Sequence, residues 1–409
     1  MKISYLMLTA FLFVGMISCN EDSNDIDPIK KADPIKLKSE YTEKISQDNT
    51  FAFNLLKTTY EKESASNIFV SPLSVSMALS MTVNGAKGET AEEMLQAMSI
   101  NNYSVSQIND YNKTLREALL NVDPSTQIGI ANSIWSRKEL TVVDNFITTT
   151  RNFYTAEFNK EDFTNQQTVE KINNWCSNAT NGKIPVIIQT ISSDAAMFLI
   201  NAVYFKGIWQ SKFDKSETAN KLFAGETQQK TVKMMRQNED FAVASTQNGR
   251  YLHLPYGNGA FTMVIMLPDD GKSTDDLLAE LNANSWKNLI FRTMNVNLEL
   301  PRFKIECKYE LEKNVLPAMG MNMPFTSNAD FSGITPAGIC ISQVLHKTYI
   351  NVDEEGTEAA AVTSVEMGPT SAGPSQPTDF FVNKPFVFVI QENSTGVILF
   401  AGKIGDIEE

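Results

Sequence analysis

The chain has 409 residues, of which 42% are hydrophobic, and a formal net charge of -13. A chain of this length and composition can bury one large core or two ordinary ones. Its acidic charge argues against nucleic acid or an anionic membrane surface as partner, because both would repel it.

The chain begins with a segment typical of a secretory leader. Lys2 supplies a positive charge, and residues 5–17 form an almost continuous apolar run that is too short to span a bilayer comfortably. Residues 16–19 read Met-Ile-Ser-Cys, which resembles the lipobox of bacterial lipoproteins. The resemblance implies a lipoprotein signal peptide over residues 1–18, with Cys19 as the lipid attachment point. The alternative is an ordinary signal peptide followed by an incidental cysteine.

A polar segment follows this leader. Residues 19–39 are acidic and poor in apolar side chains, and they include Pro28 and Pro34. Such a segment cannot bury a core, so it predicts a flexible tether. An anchored, exported protein would lie on the bacterial outer membrane, in the periplasm or at the cell surface. Residues 40–409 contain no repeat, long linker or low-complexity block, which predicts one folded domain.

The body mixes helical and strand patterns. Apolar residues at helical spacing predict helices over 51–60, 74–83 and 169–179, and an acidic first turn predicts another helix with Thr90 as its N-cap. Apolar or alternating runs predict strands over 196–205, 261–267, 296–305, 385–390 and 397–404. Residues 393–396, Asn-Ser-Thr-Gly, predict a hairpin turn between the last two strands. These elements favour an α+β fold of large sheets with helices packed on them.

Residue types that carry catalysis are scarce. The chain has two histidines, His253 and His346, and no serine-nucleophile, phosphate-loop, dinucleotide or zinc-protease motif. We therefore expect no enzyme activity, no cofactor and no metal. Beyond the leader, Cys176, Cys307 and Cys340 are odd in number and fit no zinc or redox spacing, so we interpret them as small buried hydrophobes.

The most informative segment covers residues 353–367. Read with the period of two of a strand, one face is small or apolar and the other is half polar. The first face carries Thr357, Ala359, Ala361, Thr363, Val365 and Met367. Residues 368–377 then contain three prolines and have the composition of an exposed loop. This order predicts a strand that forms only after the loop is cut; the alternative is an edge strand followed by a disordered turn.

Motifs at five separated places, in matching order, resemble those of the serpins, a family of protease inhibitors. They lie at residues 67–74 (Asn-Ile-Phe-Val-Ser-Pro-Leu-Ser), 198–209, 354–361 (Glu-Glu-Gly-Thr-Glu-Ala-Ala-Ala), 381–386 and 399–403. The resemblance covers about residues 40–407. It implies a serpin fold with three β-sheets, about nine helices and an exposed reactive-centre loop over residues 356–380.

The resemblance also implies a function. Inhibitory serpins act on serine-type endopeptidases as suicide substrates: the loop is cleaved, it inserts as a strand into the main sheet, and the protease is trapped in a covalent 1:1 complex. The expected partners are therefore target proteases, with the inhibitor a monomer. The alternatives are a non-inhibitory serpin acting as a binding or chaperone-like protein, and a surface-binding lipoprotein unrelated to inhibition.

Matching positions receive roles from the same resemblance. The hinge is implied at Glu354, Gly356, Thr357, Glu358, Ala359, Ala360, Ala361 and Val362. The shutter, a polar group that holds the sheet closed, is implied at Ser71, Ser74, Asn201 and His346. The breach, where the hinge begins, is implied at Trp209 and Arg302. Arg302 and Glu354 could form a salt bridge there or only a simple surface pair.

The loop sequence also suggests which bond is attacked. Counting seventeen residues from Glu354, as in inhibitory serpins, places the scissile bond between Thr370 and Ser371. The bond between Met367 and Gly368 is an alternative. A small residue before the bond favours elastase-like or subtilisin-like proteases, and the absence of a basic residue predicts poor inhibition of trypsin. Inhibition of cysteine proteases stays open.

Overall fold

The computed structural model describes residues 31–193, 195–357 and 377–408. The predicted leader, Cys19, the loop after Thr357 and both candidate scissile bonds lie outside the described residues. The described helices are α1 (Thr42–Lys62), α2 (Pro72–Val83), α3 (Gly88–Ala97), α4 (Val105–Asn121), α5 (Asp144–Tyr154), α6 (Gln166–Ala179), α7 (Thr274–Glu280), α8 (Ala283–Lys287) and α9 (Val315–Ala318). None of them is long and apolar enough to cross a membrane.

Fifteen strands form within the same residues. They are β1 (Ile68–Val70), β2 (Gln127–Arg137), β3 (Glu157–Glu161), β4 (Met197–Ile208), β5 (Ala219–Ala224), β6 (Gln229–Ser245), β7 (Gly249–Pro255), β8 (Phe261–Pro268), β9 (Arg292–Pro301), β10 (Phe303–Glu310), β11 (Leu345–Asp353), β12 (Gly356–Thr357), β13 (Thr378–Phe381), β14 (Phe386–Glu392) and β15 (Ile398–Ile404). Short 3₁₀ helices cover Ser39–Tyr41, Lys215–Glu217 and Met323–Phe325.

The strands make two hydrogen-bonded sheets. A six-stranded sheet has the order β10-β11-β12-β4-β2-β3, and a nine-stranded sheet has the order β1-β15-β14-β8-β7-β6-β9-β13, with β5 also paired to β6. The α+β architecture is the one predicted. Two of the three expected sheets are continuous here, because the 17-residue strand β6 pairs with β5 and β9 along one part and with β7 along another.

Several predicted elements agree with the structure and two do not. The hairpin of β14 and β15 is confirmed, with its turn at residues 393–396. The single strand predicted over 296–305 is wrong, because the chain leaves the nine-stranded sheet at Pro301 and enters the six-stranded sheet at Phe303. Thr90 is not an N-cap: α3 starts at Gly88, and the Thr90 hydroxyl accepts a hydrogen bond from a loop backbone N–H instead.

Two further expectations need correction. All three cysteines of the body are free; Cys176 is buried and Cys307 half-buried, but Cys340 is exposed because it lies in the irregular segment before β11. The tether ends earlier than predicted. Residues 31–38 contact the domain, since Ile35 and Leu37 pack against its core. The backbone N–H of Ile35 also donates a hydrogen bond to the Ser394 hydroxyl.

Helix α2 positions the candidate site. Eleven of its twelve residues are buried, and it contacts β4 of one sheet and β15 of the other. Pro72 occupies its first turn, and Ser71 caps it by accepting a hydrogen bond from the Ser74 N–H. A helix that is apolar on nearly all sides belongs in a core. The serines near its start therefore lie deep between the sheets.

Candidate functional site

The centre of the six-stranded sheet is parted. β12 lies between β4 and β11 and pairs antiparallel with both, at Gly356 and Thr357. Beyond Thr357, the described parts of β4 and β11 share no ladder pairing with each other. β4 and β11 run parallel to each other, so an incoming strand from β12 would be antiparallel to both neighbours. The structure therefore brings the predicted hinge to the mouth of a slot.

Gly356 and Thr357 fit this mouth tightly. Gly356 has φ +149°, and a Cβ there would lie 2.1 Å from the Gly207 carbonyl oxygen, so a side chain is excluded. The Thr357 side chain is buried, and its hydroxyl lies 2.7 Å from the Tyr256 hydroxyl. The hinge thus begins with its inner face already in the core.

Trp209 holds the backbone before the hinge. Its indole stacks on Tyr256 with ring centroids 4.4 Å apart, and its Nε1–H donates a hydrogen bond to the Asp353 carbonyl at 2.8 Å. Its backbone N–H donates to the Glu355 carbonyl at 2.9 Å. Trp209 therefore contacts the hinge through both its side chain and its backbone, at the position implied for the breach.

Two glutamates before Gly356 carry ion pairs. Burial opposes ionisation of Glu354, but hydrogen bonds from Arg302 and Thr218 outweigh it and lower the pKa of the carboxyl. The salt bridge suggested by the sequence is present, since Arg302 Nη2 lies 2.6 Å from Glu354 Oε1. Glu355 pairs with Lys212 and Lys215, each at 2.8 Å, and these hydrogen bonds lower its pKa.

The four shutter positions come together below the hinge. The Ser71 backbone N–H donates to His346 Nε2 at 2.9 Å, and the Ser71 hydroxyl donates to the Leu399 carbonyl at 2.9 Å. The Ser74 hydroxyl donates to Asn201 Oδ1 at 2.5 Å, so the group joins α2 to β4 and β11. Burial lowers the pKa of His346 to about 4, which keeps the ring neutral at pH 7 and leaves Nε2 free to accept the hydrogen bond from the Ser71 N–H.

The polar group is longer than the sequence suggested. Asn201 donates to Asn132 Oδ1 at 2.8 Å, and Asn132 donates to the Tyr154 carbonyl at 2.7 Å. The Tyr154 hydroxyl donates to Asn109 Oδ1 at 2.7 Å, and Asn109 donates to Asn84 Oδ1 at 2.7 Å. Asn132 could have been noticed as an amide inside the apolar strand β2, because a buried amide needs hydrogen-bond partners.

A cavity of about 70 Å³ lies beside this polar group. Its walls come from α2, the first residues of β4, and the segment from Phe331 to His346 that leads into β11. Most lining side chains are apolar, and Ser74, Asn201 and His346 of the polar group are also in the lining. The residues of β4 and β11 that line it lie beyond the pairs that these strands make with β12.

The far end of the loop is fixed in the other sheet. β13 pairs in parallel with β9, so the chain from Thr378 onward belongs to the nine-stranded sheet. Arg250 strengthens this attachment: it donates to the Asp379 carbonyl at 2.7 Å, and its guanidinium lies 5.3 Å from the Phe380 ring centroid. The uncut loop is consequently held at both ends.

The second histidine lies away from the slot. His253 is in β7, and its ring centroid is 3.8 Å from that of Phe291. Burial lowers the pKa of His253 to about 4. Its contacts are those of a structural side chain between a strand and the loop that covers it.

Comparisons with known proteins agree with this geometry. A family model described as serpin (serine protease inhibitor) matches residues 46–407. Human Serpin B3 is 34% identical over 386 residues, which cover 88% of this chain and 98% of that protein. Leukocyte elastase inhibitor of Xenopus laevis is 35% identical over 370 residues, covering 86% and 96%. The crystal structure of tengpin, a thermophilic serpin in its native state, superposes with a TM-score of 0.82 at 32% identity and covers 92% of this chain and 97% of tengpin.

Proposed function

Because the chain belongs to the serpin family, we propose that it inhibits serine-type endopeptidases as their suicide substrate. The serine hydroxyl of the protease attacks the scissile carbonyl, the peptide bond breaks, and the new amine takes the proton. The freed strand then enters the six-stranded sheet and carries the ester-linked protease with it, before water can hydrolyse the ester. One chain traps one protease, and the inhibitor acts as a monomer.

The observation that carries this proposal is the placement of Gly356 and Thr357. They already pair with both β4 and β11, whereas the chain from Thr378 is fixed in the other sheet. Cleavage between these attachments would release a strand whose first residues are in position. The small residues 359–361 suit entry between packed strands, because a charged side chain there would lose its hydration.

Thr370–Ser371 is the bond we propose for attack, with Met367–Gly368 as the alternative. Threonine after Pro369 suits a protease with a small apolar primary pocket, such as an elastase-like or subtilisin-like enzyme. Relatives named as elastase inhibitors support this class of target. Cysteine proteases are a further candidate target, because the same movement would trap their thioester.

The test uses the secreted form of the chain with pancreatic elastase, subtilisin and trypsin. A denaturing gel should show a band heavier than either partner with the first two enzymes and only weak trapping with trypsin. Mass spectrometry of the released C-terminal peptide then identifies the bond. Thr370→Arg is the matched variant, and it should gain inhibition of trypsin. Strong trapping of trypsin by the unaltered chain would contradict the assigned bond.

A clipped chain without a covalent band would favour the alternative, a non-inhibitory serpin with a binding or chaperone-like role. The melting temperature separates these cases further. An inserted strand should raise the stability of the cleaved inhibitor far above that of the intact protein. A cleaved chain that melts at the temperature of the intact one has inserted nothing, and the inhibitor proposal then fails.

We also propose that the protein is exported and anchored by lipid at Cys19, on the outer membrane of a bacterium or at its surface. Acyl chains contribute about 0.8 kcal/mol per buried CH₂, so several chains hold a protein firmly. Metabolic labelling with a palmitate analogue should mark the wild-type chain and not Cys19→Ser. Unlabelled wild-type protein recovered free of membranes would contradict the anchor.

A further inference from the structure

We propose that a second cavity, at the end of β2 opposite to the hinge, binds a small organic carboxylate through Arg137. At this end Ser136 pairs with Met197, the first residue of β4, whereas β12 pairs with the last two residues of β4. The cavity has a volume of about 370 Å³ and lies between the end of β2, the first turn of α6 and the segment that leads into β4. This volume is in the range of small-molecule pockets. The site is independent of the reactive-centre loop and of protease inhibition.

Arg137 gives this cavity its positive charge. The side chain is half-buried, and its Nη2 donates a hydrogen bond to the Ser193 carbonyl. Its Nε–H is buried and has no hydrogen-bond partner among the described residues. A buried donor without a partner carries a desolvation cost, which is larger when the donor belongs to a charged group. A ligand that accepts a hydrogen bond from this nitrogen would remove that cost.

The carboxylates next to Arg137 already have cations of their own. Glu161, which pairs with Arg137 in the ladder of β2 and β3, forms an ion pair with Lys171 of α6 at 2.7 Å. Asp162, the next residue, forms an ion pair with Lys138. The charge of Arg137 is therefore available for an anion that comes from outside the chain.

The other polar groups of the lining also favour an anion. Asn165 and Gln166 lie at the start of α6, a helix of 14 residues, and both line the cavity. The N–H groups of the first turn of a helix carry a partial positive charge, which stabilises a nearby negative charge. Thr190 and Ser193 add hydroxyl groups that can donate to the same ligand.

The rest of the lining is apolar and favours a carboxylate with an apolar body. Phe163 and Val169 are buried and Ile191 is half-buried, and all three pack in the core cluster that α6 forms with β2 and β4. The planar guanidinium of Arg137 matches one carboxylate, to which it can donate two parallel hydrogen bonds. Phosphate carries about two negative charges at pH 7 and has no apolar part, so it suits this lining less well.

The experiment uses phenylacetate as the probe, because it joins a carboxylate to an apolar ring. Isothermal titration calorimetry of the intact protein at pH 7 should give a Kd of about 1 mM or tighter. Saturating phenylacetate should also raise the melting temperature, because it binds only the folded chain. Phenylacetamide has nearly the same shape without the charge, and it should bind about tenfold more weakly or worse. Inorganic phosphate should bind more weakly than phenylacetate.

Two arginine variants test the assigned cation. Arg137→Met removes the charge and keeps most of the length of the side chain, so it should weaken phenylacetate binding about tenfold or more. Binding of phenylacetamide should stay unchanged in this variant. Arg151→Met is the matched control, because Arg151 is exposed on α5 and lies outside the lining. It removes the same charge elsewhere and should bind phenylacetate as the wild type does.

Because Arg137→Met also removes the hydrogen bond to Ser193, a further variant leaves the arginine in place. Ile191→Trp fills the apolar part of the cavity and should weaken phenylacetate binding about tenfold or more. No binding of phenylacetate, equal affinity for phenylacetamide, or wild-type affinity in Arg137→Met would overturn the site. Phosphate that binds more tightly than phenylacetate would overturn the carboxylate class. Protease trapping plays no part in these measurements, so their failure leaves the proposed function untouched.

Discussion

The two ends of the slot are held by different chemistry. The upper end is the breach, next to the hinge, and the lower end is the shutter. At the breach, many of the contacts are ion pairs. Two of the charged side chains, Arg302 and Lys215, are 42% and 62% exposed to water. At the shutter, the contacts are neutral hydrogen bonds among buried groups such as Ser71 and His346. Exposed ion pairs are screened, whereas a buried group that loses its partner keeps the whole desolvation cost. We therefore predict that the lower end controls how readily the sheet opens.

The largest expected effect is a loss of inhibition when a residue on the inner face of the hinge is changed. Thr357→Arg would place a charged group where the Thr357 side chain now lies buried against Tyr256. Insertion should stall while cleavage continues, so the fraction of protease trapped should fall about tenfold or more. Titration of subtilisin activity measures this stoichiometry. Thr357→Ser keeps the hydroxyl and should stay an inhibitor; an active Thr357→Arg inhibitor would show that the inner face does not limit insertion.

The next largest effect is a pH dependence of the folding stability, which arises from buried histidines that stay neutral in the folded protein. The pKa of His346 is lowered to about 4 by burial, while the pKa of a histidine in the unfolded chain is about 6.5. Between these values the unfolded chain binds a proton that the folded chain does not. Stability is therefore complete above about pH 6.5, falls as the pH drops through this window, and levels off below the folded pKa. The loss could reach about 3 kcal/mol for one residue.

Urea unfolding at a series of pH values measures this slope, and two variants assign it. His346→Gln should remove the share that arises at the shutter. His253→Gln should remove a similar share, since burial lowers its pKa to about 4 as well. Only the His346 variant should also change inhibition. A wild-type slope that survives in His346→Gln would show that the shutter histidine is not kept neutral by the fold.

The sequence predicted the upper end of the slot better than the lower end. Gly356 and the run of small residues that follows it form one contiguous motif, so the resemblance that implies a hinge is visible in a short stretch of sequence. The Arg302–Glu354 pair needed the family resemblance, because 52 residues separate its members. The cavity could not be predicted at all, since α2, β4 and the segment before β11 meet only in the folded chain.

The errors have similar causes. The strand predicted over 296–305 has continuous alternation, but its two halves serve different sheets, and only tertiary pairing decides where the chain crosses between them. Thr90 has the residue type of an N-cap, yet its hydroxyl is used by the Asp330 N–H. Cys340 shows the same limit, because exposure depends on the shape of an irregular segment that has no periodic pattern.

A smaller effect is expected for the ion pair at the breach. Arg302→Ala leaves the buried Glu354 carboxylate with fewer hydrogen bonds, but the guanidinium is partly exposed, so the loss should be about 1–2 kcal/mol. Arg302→Lys keeps the charge and loses the second donor, so its stability should lie between those of the wild type and Arg302→Ala. Unfolding in urea at pH 7 compares the three proteins. Equal stability of all three would mean that water replaces the pair without cost.

The smallest effect should come from one hydrogen bond next to the hinge. Trp209→Phe keeps a ring to stack on Tyr256 but removes the Nε1–H that donates to the Asp353 carbonyl, a loss of about 1 kcal/mol. Trp286→Phe is the matched control, because its Nε1–H donates to Gln391 at 2.9 Å in another part of the core. Both variants should lose similar stability, while only Trp209→Phe should change the fraction of protease trapped. Equal inhibition by both would assign Trp209 to the fold and not to control of the hinge.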